Sequence, residues 1–173
     1  MVERVYLHIG APKTGTTYLQ EALGLNRRRL RDAGVFYPKG SADAHHTAAW
    51  DLRELWGQRE TGEKFRGAWD KTAEKVVAFD GPVGVLSSEL LVYADKRQAA
   101  RAVRSFGDAE VHLVCTVRDL VRQVPAVWQE RLKNQRTMPY EQFVSDVIGA
   151  SKSGMAKGFW SAQDTPAAPL PRP

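Results

Sequence analysis

Cysteine is almost missing from this chain: 173 residues hold one, Cys115, so no internal disulfide is possible. The thiol stands in the apolar run Val111 to Val117 and is expected as a small buried hydrophobe. Histidine is scarce too, at four residues. His45 and His46 are adjacent, not at helical i, i+4 spacing, so zinc ligation is a poor reading and no metal is expected. No apolar run approaches the roughly 20 residues that cross a bilayer. No apolar stretch follows a basic start, so no signal peptide is read and the cytoplasm is the default location. There is no internal repeat. Nor is there a strong charge imbalance: the net charge is +5. That excess fits a polyanionic small ligand or an anionic acceptor. It would fit nucleic acid as well, but no stretch resembles a nucleic-acid module, and no such partner is expected.

What is present is the composition of a soluble globular domain, 43% hydrophobic and 26% charged, in a chain long enough for one real core. Val2 to Ile9 reads as a central parallel strand because its apolar residues are nearly continuous. His8 within it reads as a packed residue. A helix is predicted from Thr16 to Asp32, with Leu19, Leu23 and Leu30 facing a core and the basic run Arg27 to Arg31 in its last turns. Gly34 ends it, and Val35-Phe36-Tyr37 forms a short second strand. Two amphipathic helices follow, about Thr47 to Trp56 and Gly62 to Phe79. Val83 to Ser88 is the third strand, with a short helix from Glu89. A helix capped by Asp95 runs to Phe106 and stops at Gly107. Val111 to Val117 is the fourth strand. Helices are predicted from Leu120 to Asn134, with Pro125 kinking it or delaying its start, and from Tyr140 to Ile148. Strands alternating with helices in this order predict a three-layer α/β/α fold around a central parallel sheet. Residues 1–164 form the expected domain, and the Pro/Ala-rich stretch 165–173 an extended or disordered tail.

The most informative stretch is Gly10-Ala11-Pro12-Lys13-Thr14-Gly15-Thr16-Thr17, between the first strand and the first helix. A glycine-rich loop feeding a helix N-terminus places free N–H groups and the positive end of the helix dipole at one spot, which suits an anion. Gly10 and Gly15 permit close approach and unusual dihedrals. Lys13 adds a charge, and Thr16 and Thr17 add hydroxyls. The Gly-x4-Gly spacing is that of a nucleotide P-loop, but there the lysine directly follows the second glycine. Here Thr16 takes that place. The displaced lysine argues against a small P-loop kinase or NTPase.

Pro12-Lys13-Thr14-Gly15-Thr16-Thr17 resembles the 5′-phosphosulfate loop of sulfotransferases that use 3′-phosphoadenosine-5′-phosphosulfate (PAPS). A second stretch, Thr116-Val117-Arg118-Asp119-Leu120, resembles their 3′-phosphate element, in which a strand-end arginine is followed eight residues later by serine. Arg118 matches; the serine position is Ala126. Ser87-Ser88-Glu89, Trp128-Gln129-Glu130 with Lys133, and Phe159-Trp160 with Gln163-Asp164 are also similar to bacterial members. The resemblance spans about residues 2 to 164. It implies a P-loop NTPase-like sulfotransferase fold and transfer of a sulfuryl group from PAPS to a hydroxyl or amine of a small-molecule, glycan or lipid acceptor. It further implies that Gly10, Pro12, Lys13, Thr14, Gly15, Thr16, Thr17 and Arg118 hold PAPS, with Lys13 at the bridging oxygen. Family members continue with a further strand where this chain turns proline-rich. The chain is therefore expected to be shortened at its C-terminus, which with Ala126 leaves open a truncated, non-catalytic nucleotide-binding remnant.

The acceptor needs a general base. The resemblance points to Glu89, after the third strand, or to His46 or His45, after the second. The plainer alternatives are that Glu89 caps a helix and that the histidines are exposed loop residues. Asp119 reads as a helix N-cap.

Overall fold

The computed structural model describes residues 1–38, 42–56, 62–133, 137–149 and 154–163. The expected tail, 165–173, lies outside them. The sequence reading treats residues 1–164 as one domain. Internal contacts divide the chain into two compact units: Met1–Gly10 with Gly15–Thr116, and Ala11–Thr14 with the chain from Val117 onward.

The first unit carries a four-stranded, all-parallel sheet in the order β2-β3-β1-β4. The strands are β1 (Arg4–His8), β2 (Val35–Phe36), β3 (Val83–Ser87) and β4 (Glu110–Val114). Central β1 pairs with β3 from Arg4 opposite Val83 to His8 opposite Ser87, and with β4 from Arg4 opposite Glu110 to His8 opposite Val114. Parallel neighbours require long crossovers. These are supplied by α1 (Thr16–Leu25), α2 (Arg27–Asp32), α3 (Ala42–Leu52), α4 (Ala68–Val77) and α5 (Lys96–Arg104). With α6 (Leu120–Lys133), α7 (Tyr140–Ile148) and α8 (Gly154–Gln163) of the second unit, the described residues hold eight α-helices. The chain is α/β, consistent with a three-layer α/β/α arrangement.

Side chains alternate across the sheet. Val5 and Leu7 of β1 and Leu86 of β3 point to the face covered by Ala48, Ala49 and Leu52 of α3, Trp69, Ala73 and Val76 of α4, and Ala102 of α5. Trp69 is fixed at both polar edges: its backbone N–H donates to buried Asp51 (2.9 Å) and its indole to Ser105 (2.9 Å). The opposite face is aromatic and polar, with Tyr6 stacked on His112 at 4.9 Å. In the second unit Phe143, Val147 and Phe159 form a small core, against which Val124, Val127 and Trp128 pack. Among the described residues no helix is long and apolar enough to cross a membrane.

Several expectations are corrected. The first helix is broken at Asn26, whose side-chain amide donates to the Ala22 carbonyl (2.8 Å) while its backbone leaves helical geometry. The helix predicted from Gly62 to Phe79 is a 3-10 turn, Gly62–Phe65, and then α4, divided by Gly67 at φ 76°. His45 and His46 lie within α3, not in a loop. Pro125 is already inside α6, so it does not delay the helix start. β4 ends at Val114 and forms a sheet edge, with Leu113 53% exposed. Cys115 lies just past that edge and is therefore exposed, not buried.

Candidate functional site

In the first unit the loops after adjacent strands β1 and β3 run toward opposite ends of the sheet, one to β2 and the other to β4. The crevice between two such strand ends is where open α/β sheets bind ligands. His8 organises it. Its Nδ1 is 2.7 Å from Ser87 Oγ and its Nε2 is 3.1 Å from Thr116 Oγ1, which ties the ends of β3 and β4 to β1. Burial holds the imidazole below its ordinary pKa, opposed by the nearby Glu89 charge, so the neutral ring is favoured. Gly10 fills the space directly above: a Cβ there would lie 1.9 Å from Thr116 Oγ1 and 2.9 Å from His8 Nε2. Its role is therefore close packing. Gly15 serves the other purpose, turning the chain into α1 at φ 94° with no side-chain hydrogen bond capping the helix. The N–H groups of that first turn have no partner within the helix and face outward with the positive end of its dipole. Thr16 is buried beneath them and Thr17 is exposed.

The candidate bases separate clearly. Glu89 opens a 3-10 turn, Glu89–Tyr93, and its carboxylate accepts from Gln20 Nε2 at 3.3 Å. The same amide also reaches the Ser87 carbonyl (3.3 Å), so Gln20 fixes α1 to the β3 exit. The turn is capped by Ser88, whose hydroxyl accepts from the Leu90 N–H, leaving the Glu89 carboxylate out of the capping role. His45 is buried and stacked on Tyr37 at 4.4 Å. Its Nδ1 faces the Ser87 N–H (3.5 Å) and its Nε2 the Pro38 carbonyl (3.4 Å). The first contact needs a lone pair and the second a proton, so both ring nitrogens are engaged. Burial lowers its pKa to about 4, which makes it a weak base. His46 is half-buried, tilted against Trp50 at 6.0 Å.

In the second unit residues 11–14 are held by side chains from the start of α6 and the segment before it. Arg118 Nη1 donates to the Lys13 carbonyl (3.2 Å), and Gln123 Nε2 to the Pro12 carbonyl (3.1 Å). Thr14 Oγ1 donates to the Ala11 carbonyl (2.6 Å). Lys13 has a left-handed backbone, φ 68°, which costs a non-glycine residue about 1–2 kcal/mol. Its ammonium lies 2.6 Å from Glu130 Oε2, and that contact draws the Glu130 carboxyl below its usual range. Asp119 is the expected N-cap, accepting from the Arg122 N–H at 3.0 Å. Arg118 is exposed, not buried at a strand end, because β4 stops four residues earlier.

Gln20 and Gln123 escape a reading of the sequence that looks for motifs, and Glu130 enters it only within the Trp128-Gln129-Glu130 likeness, without a role. For two of them a signal exists: Gln123, Ala126 and Glu130 recur at helical spacing and share one face of α6. Gln20 has no such signal, because its partners Ser87 and Glu89 are 67 and 69 residues away. Comparison of the chain with family models, curated proteins and solved structures finds no match.

Proposed function

We propose that the chain is a PAPS-dependent sulfotransferase of P-loop type, moving a sulfuryl group to a hydroxyl or amine. The observation that carries the reading is the uncapped α1 N-terminus at the β1–β3 crevice, behind a Gly10 so tightly packed that no side chain fits. Backbone donors without a capping side chain suit a phosphosulfate. Lys13 and Arg118 supply cations of the two kinds the donor needs, a point charge and a planar fork.

On this reading the N–H groups of residues 13–17 and the Thr16 and Thr17 hydroxyls orient the 5′-phosphosulfate. Lys13 stabilises charge growing on the bridging oxygen, and Arg118 holds the 3′-phosphate. The acceptor oxygen or nitrogen attacks sulfur as the sulfur–oxygen bond to the phosphate breaks. Glu89 takes the acceptor proton, and the leaving group departs as adenosine 3′,5′-bisphosphate. Gln20 holds the Glu89 carboxylate in place.

Calorimetric titration with adenosine 3′,5′-bisphosphate tests the reading, with AMP and ATP as controls. Selective binding of the bisphosphate, weakened by Lys13→Ala and by Arg118→Ala, is the expected result. Binding of ATP only with magnesium would move the chain to the kinase class. Bisphosphate binding without transfer to any of a broad set of acceptors would make it a nucleotide-binding remnant.

A further inference from the structure

We propose that a cleft along α1 in the first unit is the acceptor site, and that it takes an elongated hydroxylated molecule with an anionic group at one end, of the size of an acidic disaccharide. The inference rests on the sulfuryl-transfer reading and adds a substrate class to it. The cleft has a volume of about 450 Å³, within the range of small-molecule sites.

Its geometry gives it two unlike ends. Thr17, Gln20 and Gly24 line it at helical spacing, so they follow one face of α1. Seven residues at 1.5 Å each separate Thr17 from Gly24, roughly 10 Å. The Thr17 end lies at the first turn of α1, and Gln20 there is hydrogen-bonded to Glu89. The far end holds Arg27. Its guanidinium sits over the Tyr37 ring at 5.4 Å, and its Nη2 lies 3.9 Å from where a Gly24 Cβ would stand. Gly24 thus leaves an opening between the two ends.

Charge decides the class. The titratable groups lining the cleft are Glu21, Arg27, Tyr37 and His45. Burial pushes the Tyr37 hydroxyl up and the His45 ring down, so both are neutral near pH 7. The Arg27 charge acts on both of them, which places its field across the inner wall. Glu21 is exposed, whereas Arg27 is half-buried, so the less screened charge is positive. The Thr17 and Tyr37 hydroxyls and the Gln20 amide suit hydroxyl groups along the length. A ligand with a hydroxyl at the Thr17 end and a carboxylate at Arg27 satisfies both ends.

The test uses the whole chain and two sugars, lactobionate and lactose, that differ in charge and in the ring form of the terminal residue, so that Arg27→Ala isolates the charge, with binding followed by calorimetry in the presence of adenosine 3′,5′-bisphosphate. Lactobionate is expected to bind about five- to tenfold more tightly than lactose. Arg27→Ala should remove that preference and Arg27→Lys should keep most of it. Gly24→Phe should abolish binding of both sugars while bisphosphate affinity stays, because a Cβ there meets only the end of the Arg27 side chain, at 3.9 Å, and a helix interior favours other residues over glycine. Equal binding of the two sugars, or a preference that survives Arg27→Ala, would overturn the anionic class. Bisphosphate binding with neither sugar bound would overturn the acceptor site alone. Lactobionate binding without any bisphosphate binding would instead remove the sulfuryl-transfer reading and leave the cleft.

Discussion

If the chain binds a sulfuryl donor as proposed, Glu130 competes with it for Lys13, and replacing Glu130 with Gln should tighten anion binding. The Lys13 ammonium rests 2.6 Å from Glu130 Oε2, and the two side chains are 34% and 44% exposed. A ligand that uses Lys13 must first displace that carboxylate. Half-exposed pairs of this kind contribute about 0.2–1 kcal/mol. Removing the competitor should therefore raise the affinity for adenosine 3′,5′-bisphosphate by about 1.4- to 5-fold. Glutamine keeps the shape and an acceptor oxygen, so the change isolates charge. Lys133, 3.8 Å from the same Glu130 oxygen, also loses its partner. For that reason the comparison belongs in a double-mutant cycle: the gain should vanish when Lys13 is already Ala. It should also shrink as salt screens the pair. The readout is calorimetric titration of wild type, Glu130→Gln, Lys13→Ala and the double variant. Unchanged or weaker binding by Glu130→Gln would refute the competition, since a carboxylate that positions Lys13 for the ligand predicts loss. A gain that persists without Lys13 would show that a different cation is responsible.

Three further outcomes follow from the packing. Ala126→Ser, which puts a hydroxyl on the α6 face shared with Gln123 and Glu130, should strengthen bisphosphate binding by about 2- to 10-fold, the worth of one hydrogen bond; calorimetry checks it. Asp51→Asn should destabilise the chain by about 2–3 kcal/mol in urea unfolding, because Asp51 accepts from both the Trp56 indole and the Trp69 N–H, and an amide must turn a donor toward one of them. Stability should fall as pH drops from 6.5 toward 4, by about 3 kcal/mol from His45 alone. The sign is fixed by the lowered folded pKa: the unfolded chain takes up the proton first, so stability is full above 6.5 and lost on acidification. Buried His8 acts in the same direction. His45→Asn should flatten the unfolding midpoint against pH across that window, and a slope as steep as that of wild type would count against the assignment.

Periodicity and punctuation made most of the elements legible. The parallel strands, the Asp95 cap with its Gln98 box and the α7 bounds Tyr140–Ile148 all follow from local signals, and local signals are enough for them. Where the sequence misleads, the deciding force is a tertiary one. The run Val111 to Val117 reads as a buried strand, yet β4 pairs on one side only and its last residues are exposed, so neither Cys115 nor Arg118 is buried. Hydrophobicity gives a segment's preference for burial, but the burial itself depends on which neighbours the topology supplies. The candidate site divides in the same way. Gly10's need for space is set by Thr116, beyond β4, but Gly15, Lys13 and Arg118 are readable as candidates because dihedral freedom and charge are local properties. The His8–Ser87–Thr116 network is not, because its members are 79 and 108 residues apart and none is unusual alone. The same reasoning separates the two adjacent histidines. They share a helix and a chemistry, but one step along α3 turns the ring by about 100°, so His45 lies under Ser87 and beside the cleft while His46 meets Trp50. A residue's type names the reactions it could support, and its helical phase decides which of them it can reach.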